Sequence, residues 1–145
     1  MEKLVSGIHP FEYVRQFMVA GDQSVDGSDS SLVPLYGKLI AEEYAEFMHG
    51  VFNNDDVEQI DAVADLIWVL AGYAHAKGWN LIGAFEEVAR SNMSKVDAES
   101  GKLLKRADGK VLKPSTFSEP VLAPFVKNQD TMPEYHNIVM GLGEE

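Results

Sequence analysis

Two short runs of acidic residues stand where chemistry could be done. Glu42, Glu43 and Glu46 form one, and Glu58, Asp61 and Asp65 form the other. Placed on a helical wheel, the first run meets an apolar half made by Leu35, Tyr36, Leu39, Ile40, Tyr44, Phe47 and Val51. That half should face a core. Glu43 falls in its middle, and Glu42 and Glu46 lie near its edge. The second run is stranger. Val57, Ile60, Val63, Ala64, Leu66, Ile67, Trp68, Val69 and Leu70 spread around most of a helix circumference, and a helix apolar on most sides is buried on most sides. Glu58, Asp61 and Asp65 nevertheless project in one narrow sector. Gly72 continues that sector and is expected to leave room beside it.

Packing gives no reason to put carboxylates there. An unpaired buried carboxylate costs several kcal/mol. Two like charges about 4 Å apart repel by roughly 4 kcal/mol at an effective dielectric of about 20. Lys38 is the only Lys or Arg between residues 32 and 76, so protein cations do not compensate the group. Divalent cations would, and all-oxygen ligands favour Mg²⁺, Mn²⁺ or Ca²⁺ over zinc. Taken singly, Glu42 and Glu46 also read as solvated helix-edge residues. Asp65, with apolar neighbours on both sides, reads that way least.

The elements that must position these acids follow from the surrounding pattern. Phe11, Val14, Phe17 and Met18 mark a first helix over about 10–20. Residues 21–31, rich in Gly, Ser and Asp, read as a loop. Pro34 opens a second helix that runs to about Phe52. Asn53, Asn54, Asp55 and Asp56 break it and can cap a third, over about 57–77, which Gly78 ends. Asn80 caps a fourth, from Leu81 to about Lys95. Asp108 and Gly109, between Leu103-Leu104 and Val111-Leu112, suggest a small hairpin. Pro114, Pro120, Pro124 and Pro133 punctuate the remainder. Residues 114–145 are therefore expected to form an extended arm, packed on the bundle or on a partner subunit, with a short helix near 135–140. The domain proper is 1–113. There is no internal repeat.

Composition narrows the function classes. The 145 residues suffice for one domain with a core, and 46% are hydrophobic, as in globular chains. The formal net charge of −11 argues against phosphate-driven nucleic-acid binding. An acidic chain binds polyphosphates through a bridging divalent cation. The lack of cysteine excludes disulfides, Cys-ligated zinc and thiol catalysis. The longest apolar stretch, Leu66 to Ala74, is too short to cross a bilayer, and the first residues do not read as a signal peptide. The expectation is a cytoplasmic protein with no membrane partner.

The motifs together resemble those of the MazG-like and phosphoribosyl-ATP pyrophosphohydrolase-like superfamily, all-α nucleoside triphosphate pyrophosphohydrolases. Glu42-Glu43-Tyr44-Ala45-Glu46 resembles its EExxE motif. Asp61 to Leu70 resembles its second acidic helix, and Phe85 to Lys95 its third motif, with an Asn and a Lys. The Asp108 to Lys113 segment and the Pro-rich stretch after it are similar to a bacterial and phage branch. The likeness covers about residues 14–122. One departure concerns the second motif, usually ExxD. Asp65 matches its Asp, but Ala62 stands where Glu is usual. Asp61 or Glu58 would then supply the ligand.

The resemblance implies a four-helix all-α bundle completed by oligomerisation and a Mg²⁺-dependent enzyme, with Mn²⁺ able to substitute. Glu43, Glu46, Asp65 and Asp61 or Glu58 would hold the metal, and Glu42 or Glu43 would serve as general base. Arg90 or Lys95 would neutralise phosphate charge, with Lys102, Lys105, Arg106 and Lys110 in reserve. Asn92 would meet base, sugar or phosphate. The products would be a nucleoside monophosphate and pyrophosphate. The substrate base stays open among dGTP, dUTP, dCTP and non-canonical nucleotides. The nearly all-apolar third helix predicts a homodimer or a dimer of dimers. Two rival readings remain. One is a di-iron carboxylate bundle, from the ExxH of Glu46 and His49. The other is a non-enzymatic helical dimerisation module.

Overall fold

The computed structural model describes residues 7–126. The chain is all-α, with four α-helices and no strands among those residues: α1 Pro10–Ala20, α2 Leu32–Phe52, α3 Asp56–Ala76 and α4 Leu81–Met93. A short 3-10 turn, Ala123–Val126, follows. No helix among the described residues is long and apolar enough to cross a membrane.

The helix ends have local causes. The His9 side chain accepts the Phe11 N–H, and Pro10 takes the first position of α1, where its missing N–H costs nothing. Asp55 caps α3 by accepting the N–H groups of Val57 and Glu58. Gly78, at φ +71°, ends the turn after α3. A Cβ there would lie 2.7 Å from the Asp26 carbonyl oxygen, and one on Gly27 would lie 2.9 Å from that of Lys77. This mutual approach of two glycines fastens the 21–31 loop to the end of α3.

The chain divides into two compact units. The first holds α1 to α3 and ends, among the described residues, at Leu81; the second is Ile82–Val126. In the first, α2 and α3 are antiparallel neighbours joined by a tight turn. Gly50 faces Gln59 near that turn, and Tyr36 faces Gly72 at the far end. Val14 and Met18 of α1 close the core with Leu32, Tyr36, Val69, Ala71 and Ala76. Gly72 does not leave open space: the Tyr36 ring fills it, and the Tyr36 hydroxyl donates to Gln23 Oε1 at 2.6 Å. The apolar half of α2 is only partly covered within the chain. Tyr36 is buried, whereas Leu35, Tyr44 and Val51 are exposed.

The second unit is α4 with the chain that follows it. The bridge Lys105↔Val111 forms the anticipated hairpin, turning at Gly109 with φ +85°, and the bridge Val96↔Leu103 closes a separate turn before it, at Gly101 with φ +67°. Residues 116–121 then return to α4. Ser118 N–H donates to Ser94 Oγ at 2.9 Å, Val121 N–H donates to Glu87 Oε1 at 3.0 Å, and Arg90 donates to the Glu119 carbonyl at 3.1 Å. Residues 127–145, which include the expected helix near 135–140, lie outside the described residues.

Candidate functional site

The antiparallel register brings the two acidic runs to one place. His49 pairs with Glu58 beside the turn, and continuing the same register sets Glu43 level with Asp65. Glu43 is half-buried, and its Oε2 is sealed from solvent with no hydrogen-bond partner. Burial pushes its carboxyl above the ordinary value, and the nearby charges of Glu46 and Asp65, a hydrogen bond with Glu46, and the charge of Asp61 push it the same way. Glu46, Asp61 and Asp65 are exposed. Four of the anticipated carboxyls thus share one electrostatic neighbourhood.

The other two acids are engaged elsewhere. Glu42 is exposed and lies 3.9 Å from Lys38, one turn away. Glu58 accepts the His49 Nδ1–H at 2.6 Å. Asn53 Nδ2 donates to the other ring nitrogen of His49 at 3.0 Å, so the neutral tautomer carrying its proton on Nδ1 satisfies both contacts. That pairing occupies His49 as well as Glu58. Of the two candidates to stand in for the absent Glu at Ala62, Asp61 is the one with no ion pair among the described residues.

The donor set suits a hard divalent cation in kind. It is all oxygen, and its central carboxylate has an orphaned oxygen surrounded by like charges, which a bound cation would relieve. The side chains as they stand do not close around one: no three His, Asp or Glu groups among the described residues form a metal-holding cluster. Rotation about side-chain torsions of α2 and α3 would be needed to bring them together.

The basic residues of the third motif are already engaged within the second unit. Arg90 forks onto both oxygens of Glu87, at 2.9 and 2.7 Å. This pairing, with the Val121 N–H, holds the Glu87 carboxyl down to about 2. Lys95 donates to Asn92 Oδ1 at 3.0 Å and lies 5.7 Å from the centre of the Phe117 ring. Lys110 is exposed on the hairpin. The sequence reading did not single out Glu87, although its i,i+3 spacing to Arg90 is the visible signal. It also passed over Glu12, a fully buried acid of α1 whose Oε2 has no hydrogen-bond partner.

Comparison with known proteins adds a family to this geometry. No curated protein matches the chain. The family model for phosphoribosyl-ATP pyrophosphohydrolase matches residues 16–92, a span that holds both acidic runs and most of α4. That is more than half of the 145 residues, and with the all-α fold it shows that the chain belongs to the phosphoribosyl-ATP pyrophosphohydrolase family, whose activity is of the nucleotide pyrophosphohydrolase type.

Proposed function

We propose that this protein hydrolyses a nucleoside or deoxynucleoside triphosphate to the monophosphate and pyrophosphate, in control of the cytoplasmic nucleotide pool. The observation that carries the reading is the Glu43 neighbourhood: a half-buried carboxyl with one orphaned oxygen, its pKa raised by burial and then by Glu46, Asp65 and Asp61. Glu43, Glu46, Asp61 and Asp65 would hold Mg²⁺, or Mn²⁺ in its place, and Glu58 would join only by leaving His49. When bound, the metal polarises phosphate oxygens and acidifies water. Glu43 would take the proton of the water that attacks the α-phosphorus, and the α–β bridging oxygen leaves with pyrophosphate. Glu42, turned toward Lys38, is the alternative base.

Arg90, Asn92, Lys95 and Lys110 remain the proposed phosphate and nucleoside contacts. For Arg90 and Lys95 this means exchanging an internal partner for the substrate. The chain would act as a homodimer or dimer of dimers, with residues 1–113 as the domain and 114–145 as an arm.

The test is a product assay with canonical and modified (d)NTPs, in Mg²⁺, Mn²⁺ or EDTA. Metal-dependent monophosphate plus pyrophosphate is expected. Diphosphate plus orthophosphate would move the attack to the γ-phosphorus, and no turnover on any substrate would favour the dimerisation module instead.

A further inference from the structure

Two cations of the second unit meet on one aromatic ring. Lys95 Nζ lies 5.7 Å and Lys113 Nζ 4.8 Å from the centre of the Phe117 ring. Lys95 and Phe117 are half-buried, and Lys113 is exposed. Neither lysine forms an ion pair among the described residues. From Lys95 to Phe117 the chain carries six cations and three acids, Asp97, Glu99 and Asp108, although its formal net charge is −11. Asp97 accepts the Ser100 N–H, and Asp108 holds Arg106.

Hydrogen bonds hold this gathering in place. Thr116 Oγ1 donates to the Ser94 carbonyl at 3.2 Å, and the Ser118 N–H donates to Ser94 Oγ at 2.9 Å. These bonds, on either side of Phe117, set its ring beside Lys95. Ser94 Oγ in turn donates to the carbonyl of the buried Ser91 at 2.6 Å. A turn closed by the Phe117 N–H on the Pro114 carbonyl, at 3.0 Å, brings Lys113 back to the same ring. Lys95 has a local reason to be here, because α4 ends at Met93 and a helix C-terminus favours a cation. Lys113 comes from the far side of the hairpin and repels Lys95. The negative face of the ring offsets part of that repulsion. A bound anion would offset the rest.

We infer that Lys95 and Lys113, gathered on Phe117, form a binding site for a phosphate chain, a pyrophosphate or triphosphate group. An ammonium carries three donors. Asn92 Oδ1 takes one from Lys95, at 3.0 Å, which leaves donors on both lysines for the anion. A phosphate chain has several charged oxygens, so one molecule answers both ammoniums, each through charge-assisted hydrogen bonds. The site needs no divalent cation, unlike the carboxylates of α2 and α3. The source of the chain rests on the pyrophosphohydrolase reading: it is the substrate's triphosphate or the pyrophosphate released.

The test is calorimetric titration of the full chain with inorganic pyrophosphate in EDTA, where metal-dependent hydrolysis does not run. The wild type is expected to bind. Lys113→Gln is expected to weaken binding at least ~10-fold, through loss of one charged contact. Phe117→Leu keeps every charge but no longer gathers the lysines, and is expected to weaken binding at least ~3-fold. Lys77→Gln removes the cation lying 5.5 Å from the centre of the Trp79 ring in the first unit, and is expected to keep wild-type affinity. Far-UV circular dichroism checks that each variant is folded; if Phe117→Leu misfolds, Lys113→Gln, at an exposed position, still decides. A wild type that does not bind, unchanged affinity in Lys113→Gln, equal weakening in Lys77→Gln, or orthophosphate bound as tightly as pyrophosphate would each overturn the inference. A deoxynucleoside triphosphate that competes with pyrophosphate makes the substrate the source of the chain; one that does not compete leaves the released product. Pyrophosphate binding in EDTA with no hydrolysis in Mg²⁺ would keep this site and remove the hydrolase reading, and hydrolysis without metal-free binding would do the reverse.

Discussion

Glu12 shows how a single carboxyl can set the pH dependence of this fold. It is fully buried on α1, and its nearest cation, Arg15, reaches Oε1 at only 3.4 Å. Burial raises its pKa above 4.5, and Arg15 offsets that in part. The folded protein therefore binds this proton more tightly than the unfolded chain. Its contribution to stability is fully present below about pH 4.5 and is lost as pH rises through the folded value. Glu12→Gln removes that loss. In urea melts across pH 4 to 8, the gap between variant and wild type is expected to move in the variant's favour as pH rises; a constant gap would refute the assignment. His75 packs nearby, its Nε2–H donating to the Phe11 carbonyl at 2.8 Å, and burial lowers its pKa below the ordinary value. At the acid site the same physics separates activity from stability. Glu43→Gln and Asp65→Asn are each expected to lower kcat by at least ~100-fold. The same changes relieve repulsion and leave Tm in EDTA equal or higher. Unchanged kcat in both would overturn the site.

At the scale of elements, close contact is decided by single glycines. A Cβ on Gly72 would meet Tyr36 Cε1 at 2.2 Å, whereas one on Gly37 meets nothing within 4 Å. Gly72→Ala must displace the buried Tyr36 ring and is expected to cost about 1–3 kcal/mol. Gly37→Ala, on the open face of α2, is expected to stabilise by about 0.4–1 kcal/mol. Denaturant titration of the pair checks both signs. The latch on α4 is similarly local. Glu87→Ala takes away the acceptor of the Val121 N–H and the partner of Arg90. Hydrogen exchange at Val121 should then accelerate at least ~10-fold, a change that costs about 1.4 kcal/mol, while the amides of α1 keep wild-type rates. Equal acceleration in both places would mean general destabilisation rather than a released latch.

At the scale of the whole molecule, the described residues leave many large apolar side chains of α2 and α3 open to solvent. Val57 is 77%, Ile60 65% and Ile67 52% exposed. These are the residues whose near-continuous apolar pattern predicts burial, so their exposure in one chain is the strongest support for the proposed oligomer. Sedimentation at micromolar concentration is expected to give a mass of two or four 16.0 kDa chains, and a stable monomer would remove that part of the proposal.

Helix period, the Asp55 cap, the Asp108-Gly109 turn and the family motifs are local signals. They made the all-α class, the helix limits, the hairpin and the family legible before any coordinates. The acids were legible too, because carboxylates on an apolar arc contradict packing. Tertiary structure alone decided what each polar group touches. Continuous register from Gly50 to Tyr36 sets Glu43 level with Asp65, a relation that depends on how two helices meet. Glu58 turned out to be held by His49, nine residues earlier, and Arg90 by Glu87 and residue 119. The space assigned to Gly72 belongs to Tyr36. Spacing along a chain fixes which residues share a helix face, but the partner of each side chain is set by distances across elements, and those arise only when the faces pack.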